Sequence, residues 1–255
     1  MKRRHRCFIF PMLALTATLS FVPAACRAQL LPPGDFQGKS LAEWTLEWSE
    51  WSIATGLGGE TLPDTVDGVR FLPPNFGGGD FVTDLTVPQG TALVVAPFFV
   101  FGERYDNGTE DNPNDPVIDM IFDDATIQVT YDGNVLLAGA ASDFPERKYG
   151  VTVFSDPISY AEPQPRYEDP PGTPVNAIAA LFGVGIGTMY DNLPLGEHTI
   201  RNEYNSPNFF GGPYTFTYNV TVVPEPASLI PLAMGAVGLI ARGRSSRRRW
   251  RREAT

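Results

Sequence analysis

The sequence predicts a mainly β protein: an antiparallel two-sheet sandwich, immunoglobulin-like or jelly-roll-like, with a short N-terminal amphipathic helix. Three observations lead there. Short β-branched or aromatic runs recur between residues 81 and 223, and Gly, Pro, Asn and Asp punctuate them. Helical periodicity is sustained over one long stretch, near residues 40–56. Many strands, close turns and little helix leave a sandwich as the economical architecture.

The helix comes first, in "GKSLAEWTLEWSEWSIAT". Ser40 and Glu43 have the spacing of a capping box, in which hydroxyl and carboxylate each answer a free backbone N–H. Leu41, Trp44, Trp48 and Trp51 fall on one face, and Glu43, Glu47 and Glu50 on the other. Three large rings on one stripe predict burial against a sheet rather than a sugar-stacking platform. The strands follow as "FVTDLTV", "TALVVAPFFVFG", "TIQVTYDGNVLL", "YGVTVF", "TMYDNLPLGEHTIRNEY" and "YTFTYNVTVV". Asp132-Gly133 predicts a two-residue hairpin turn, since both positions tolerate positive φ. In the last run Tyr214, Phe216, Tyr218, Val220 and Val222 alternate with polar residues, so one face turns inward. A second, short helix is expected to open at Asp115-Pro116 with Val117, Met120 and Ile121 as its buried side. Residues 56–80, 102–116 and 155–174, rich in Pro and Gly, are expected to be long loops on one domain.

The two ends point outside the cytoplasm. Lys2, Arg3, Arg4 and Arg6 precede an apolar stretch from Phe8 to Val22, with small residues before Gln29, which is the layout of a secretory signal peptide. Cleavage is expected after Ala28; acylation of Cys26 as a lipoprotein is the alternative, and Pro23 disfavours it. Cleavage after Ala28 removes Cys7 and Cys26, the two cysteines of the chain, and with them any disulfide framework, Cys-ligated zinc or thiol chemistry.

At the other end, fifteen uncharged residues from Ala227 to Ala241 would make a helix of about 22 Å. A bilayer's hydrocarbon core is about 30 Å thick. The run therefore spans marginally, with Arg242 and Arg244 reaching toward the interface and the arginines behind them held inside by the positive-inside rule. A permanent anchor, or a core helix followed by a solvated basic tail, are the alternatives.

Pro224-Glu225-Pro226, the short apolar helix and the Arg-rich end resemble the PEP-CTERM sorting signal of Gram-negative bacteria. The likeness covers about residues 223–252. It implies recognition by an exosortase-type membrane protease, transient residence in the inner membrane, cleavage near the Pro-Glu-Pro, and association with the cell surface or extracellular polysaccharide. More loosely, the G-K-S-x-x-E-W helix and the P-x-G-x-H-T-I segment resemble secreted bacterial β-sandwich proteins, a likeness that implies no activity. The expected organisation is thus a signal peptide (1–28), an exported acidic domain (29–223) and a sorting tail (224–255).

The chain's net charge of −10 conceals a division. Residues 29–223 hold seven Lys and Arg against twenty-seven Asp and Glu, a net charge of −20. A domain this acidic repels phosphate backbones, so nucleic acid is not an expected partner. His198 is the one histidine of that domain, and no G-x-S-x-G context accompanies it, so a Ser–His–Asp triad and a zinc site both lack parts. It is expected to be a turn residue bonded to backbone.

The candidate metal site is "YDNGTEDNPNDP". There Asp106, Asn107, Glu110, Asp111 and Asp115 gather oxygen ligands around Gly108, as calcium would require. Asn107-Gly108-Thr109 and Asn219-Val220-Thr221 fit the glycosylation triplet, which the bacterial resemblance makes coincidental. The expectation is a non-enzymatic, exported surface or matrix protein, structural or polysaccharide-associating. A secreted carbohydrate-active hydrolase and a calcium-dependent carbohydrate-binding module are the alternatives. Two carboxylates facing each other in an aromatic-lined cleft would mark the hydrolase.

Overall fold

The computed structural model describes residues 29–76, 79–166 and 174–225. Two sheets lie face to face. The first has the order β1 (Gln29–Leu30), β11 (Val175–Asp191), β7 (Ala92–Tyr105), β5 (Val69–Phe71) and β4 (Thr65–Val66), with β10 (Lys148–Arg166) paired along β11 beyond β1. The second runs β6 (Phe81–Pro88), β13 (Gly211–Val223), β12 (Gly196–Ser206), β8 (Thr126–Tyr131) and β9 (Asn134–Ala140). A two-stranded ribbon of β2 (Asp35–Phe36) and β3 (Lys39–Ser40) leads into helix α1 (Leu41–Gly56). The mainly β sandwich with one N-terminal helix is therefore as expected. Pairing is antiparallel throughout except at β5–β7 and β6–β13, which are parallel.

Ser40 and Glu43 close the predicted capping box, with the Ser40 N–H donating to Glu43 at 2.7 Å and the Glu43 N–H donating to Ser40 Oγ at 3.3 Å. α1 lies on the outer face of the first sheet, where its tryptophans are buried. Trp44 and Trp48 satisfy their indole N–H groups on the carbonyls of Phe36 and Leu72, at 2.9 and 2.7 Å. Loss of either ring would cost about 3–5 kcal/mol. Trp51, at the edge of the stripe, is half-buried against Phe71.

The close approach of α1 has a cause in β11. The stretch "FGVGIG" places Gly183, Gly185 and Gly187 on the helix-facing side. Phe182, Val184 and Ile186 face the second sheet and pack with Phe98, Phe122 and Ile127. A Cβ at Gly187 would overlap the Thr45 hydroxyl, and one at Gly185 would lie 2.8 Å from both Phe99 and Tyr149. Alternate glycines strip one face of a central strand so that helix and rings can lie against backbone.

Three expectations need correction. Residues 56–80 are not all loop, since the short strands β4 and β5 lie within them. The stretch 155–166 is not loop: β10 continues to Arg166 through register shifts after Val153 and after Ser159. Pro157, Pro163 and Pro165 are accommodated because this is an edge strand, where a missing N–H costs no ladder bond. The small-residue run Val175–Gly187, outside the predicted strands, is strand too, with β10 and β7 on either side. In the second helix, α2 (Val117–Asp124), the buried residues are Ile118, Ile121 and Phe122, while Met120 is 58% exposed. The helix phase is one residue off the expected one.

The Asp132-Gly133 turn is as expected, with φ of 48° and 76°. Phe216, Tyr218, Val220 and Val222 are buried on alternate positions of β13. Both ends of the described domain leave from one pole. Leu30 pairs with Tyr190 and Val223 with Pro88, and the short 192–195 turn joins the two sheets at that same pole.

Candidate functional site

At the opposite pole β7 loses a neighbour. β5 accompanies it only from Ala92 to Val94, and the returning loop rejoins it at Arg104 through a bridge to Glu110. Between these points a cleft of about 450 Å³ wraps the strand's open edge, within the usual size of small-ligand sites. Alternation along β7 sends Phe98 and Val100 to the inter-sheet side, and Phe99 and Phe101 to the helix side. Phe76 meets the latter two edge-on at 5.9 and 6.0 Å, and Phe99 and Phe101 stack at 5.7 Å. From the second sheet Tyr204 lies 5.5 Å from Phe98 and 5.2 Å from Tyr214, and Phe210 lies 6.3 Å from Phe98. Burial, with the charge-repelling neighbour Tyr214, pushes the Tyr204 hydroxyl up to about 12, so it remains neutral.

Phe210 sits in the β12–β13 turn and is 43% exposed, with Phe209 beside it at 37%. Asp124, at the end of α2, positions this turn: it accepts hydrogen bonds from Ser206 Oγ at 2.8 Å and from the Asn208 backbone at 3.1 Å. Burial alone would raise the Asp124 carboxyl, but the bonds from Ser206 and Asn208 outweigh it and hold it below the ordinary range. Tyr214 fastens the other side by donating to the Phe210 carbonyl at 2.8 Å.

The polar side of the cleft is Glu103 with Arg166. Glu103 is buried, yet its carboxylate accepts from Arg166 Nε at 2.7 Å, Arg166 Nη2 at 2.6 Å and the Tyr160 hydroxyl at 2.8 Å. The partners stand on β10, one strand beyond β11. In register Ala180 lies between Ile158 and Glu103, and its small side chain lets the longer ones reach across roughly 10 Å of sheet. Hydrogen bonding to Glu103 raises Arg166, and burial with the adjacent Glu103 charge pushes the Tyr160 hydroxyl far up, so neither gives up its proton.

The calcium candidates do not share this cleft, and the fold gives each another task. Asp106 accepts from the Asn176 backbone and side chain, and those two bonds lower its carboxyl. Asn107 closes a turn on Thr109, and Glu110 pairs with Arg104 at 2.6 Å. Asp111 accepts from the Glu103 backbone and the Tyr105 hydroxyl, and Asp115 accepts from the Val117 N–H at the start of α2. Among the described residues no three acidic or histidine side chains are grouped to hold a metal ion. The oxygen-rich spacing serves turns and caps here.

His198 bonds the Pro194 carbonyl through Nε2 and Asp132 through Nδ1, both at 2.9 Å, and stacks on Tyr131. It is a fastening at a turn, as expected, with a carboxylate added. Pro224 and Glu225 follow β13 directly and are exposed. Pro226, Arg242, Arg244 and the signal segment lie outside the described residues. Among the described residues no helix is long and apolar enough to cross a membrane.

Sequence reasoning missed the cleft. The signal for it was "NFFGG", two adjacent phenylalanines in a turn composed otherwise of Asn, Pro and Gly, where a large apolar side chain has no core to enter.

No family model matches the chain, and no curated protein matches it. Among solved structures, PbICP-C in complex with falcipain-2 is similar at 13% identity and a TM-score of 0.25, over 59% of this chain and 95% of that one. The cysteine protease inhibitor EhICP2 from Entamoeba histolytica is similar at 11% identity and a TM-score of 0.21, over 57% and 95%. Amebosin follows at 13% identity and 0.18, over 57% and 98%. Likeness at this level carries no argument about what this chain does.

Proposed function

We propose that the chain is an exported, non-enzymatic protein of the cell envelope, surface or matrix that associates with extracellular polysaccharide through the aromatic cleft at residues 98–103, 204–214 and 164–166. The observation that carries this reading is the cleft itself: phenylalanine and tyrosine rings beside a neutralised polar pair. Aromatic faces stack on the apolar faces of sugar rings, and hydroxyls find partners in the bordering side chains.

Binding is favoured over hydrolysis because Glu103 is the one carboxylate among the cleft's described lining residues, and Arg166 and Tyr160 occupy it. Glycoside hydrolysis calls for two carboxyl groups. The polarity of the domain fits sorting by the tail: Val223 leads into Pro224-Glu225-Pro226 at the pole opposite the cleft.

Affinity electrophoresis of the exported protein through gels containing the producing cells' own extracellular polysaccharide tests the binding. Retardation is expected for the native protein, and normal mobility for F210A and Y214A. Equal mobility of all three with and without polysaccharide overturns the reading. Mass spectrometry of membrane, surface and medium fractions tests the sorting: the surface form is expected to end near Glu225, and an intact C-terminus confined to the membrane fraction refutes it.

A further inference from the structure

We infer that the cleft takes an uncharged stretch of glycan and rejects uronate-rich or otherwise anionic polymers; this rests on reading the cleft as a glycan site. Residues 29–223 hold seven Lys and Arg, and all seven are among the described residues. Lys39, Arg70, Arg104, Lys148, Arg166 and Arg201 each lie within 3.3 Å of a carboxylate oxygen of their own chain. Arg147, the seventh, is buried and donates from Nη2 to the Leu31 carbonyl. Recognition of a carboxylate or sulfate on a sugar draws on a guanidinium or ammonium with N–H groups to offer. Six of the seven are paired with a carboxylate, Arg147 is buried with Nη1 unpartnered, and Arg166 is the one cation among the cleft's described lining residues.

Arg166 is the cation in the cleft, and it shows why the selection is sharp. Its fork closes on Glu103 through two bonds, and Nη1 donates to the Pro165 carbonyl. A uronate competing for it would leave Glu103 buried and negatively charged without its partner, which opposes the exchange. The surrounding field has the same sign: the domain's net charge of −20 repels an approaching polyanion before contact. A neutral ring meets neither obstacle. It stacks on Phe210 or Tyr214 and leaves the Glu103–Arg166 pair closed.

The test compares one polymer in two charge states. The producing cells' polysaccharide is run against the exported surface form of the protein, without the arginine-rich tail, in affinity gels before and after its uronate carboxyls are chemically reduced to neutral hydroxymethyl groups. With a uronate-rich polymer, reduction is expected to strengthen retardation by about tenfold at low salt, and equal retardation before and after reduction overturns the inference. Added salt should narrow that gap by screening the repulsion. F210A should abolish retardation by both forms. Retardation that disappears on carboxyl reduction overturns the inference while leaving the glycan reading standing. Retardation by neither form overturns the glycan reading itself.

Discussion

Gly187 of β11 lies directly beneath Thr45 of α1, so close that no side chain fits between helix and sheet. G187A is therefore expected to destabilise the domain by about 1–3 kcal/mol, the usual range for overpacking a tight contact. Removing the hydroxyl in T45A/G187A should recover part of the loss. Urea unfolding of the two variants and of T45A checks it. Equal stability of G187A and the native protein would contradict the packing described.

The Glu103–Arg166 pair gives a second expectation. R166M leaves a buried carboxylate with Tyr160 as its remaining side-chain donor. The Arg166 side chain is 37% exposed, so the cost should fall below the about 3–5 kcal/mol of a fully buried pair, near 1–3 kcal/mol. E103Q/R166M should be more stable than R166M alone, because the uncompensated charge is gone. Thermal unfolding of the single and double variants measures the difference, and a double variant weaker than R166M would argue against a charge origin.

Glu50 shows the opposite pattern. Burial first, and the neighbouring Glu47 second, raise its carboxyl above the ordinary 4.5. A carboxylate whose folded pKa is raised destabilises the fold at pH values above that pKa, and the penalty disappears as the pH falls below the ordinary value. E50Q should raise the melting temperature at neutral pH, by an amount worth about 0.5 kcal/mol or less. At acid pH the two proteins should melt together.

Three hydrogen-bonded carboxyls set the acid limit. Backbone and side-chain bonds from Ser40 lower Glu43, bonds from Asn176 lower Asp106, and bonds from Ser206 and Asn208 lower Asp124 against its burial. Their contribution is complete above the ordinary values of 4.5 and 3.8 and is lost as the pH falls through the lower folded values. Stability should therefore hold steady toward weakly acid pH and decline below about pH 4. D124N should show a shallower decline than the native protein and, through its turn, weaker retention by polysaccharide. A decline as steep as the native one would remove Asp124 from this set.

How much of this was legible in the residues depends on range. The capping box at Ser40 and Glu43, the tryptophan stripe, the Asp132-Gly133 turn and the alternation along β13 are local patterns with periods of two or 3.6, and each appears where its pattern lies. The proline-dense half of β10 and the glycine-rich β11 were not legible, because local propensity argues against strand in both. They are strands because one is an edge and the other is covered on both faces, facts about neighbours far along the chain. In the acidic 106–115 stretch, spacing alone gave no partners, and the fold supplies Asn176, Arg104, Tyr105 and Val117.

The amino-acid sequence by itself determined the fold class and the acidic, cysteine-free character of residues 29–223, because composition and short periods encode these directly. Tertiary structure alone decided that Phe98–Phe101, Phe210, Tyr214, Glu103 and Arg166 meet in one cleft, and that this cleft stands at the pole opposite Val223. Side chains up to 116 positions apart converge there only through pairing across both sheets, and no local pattern carries that information.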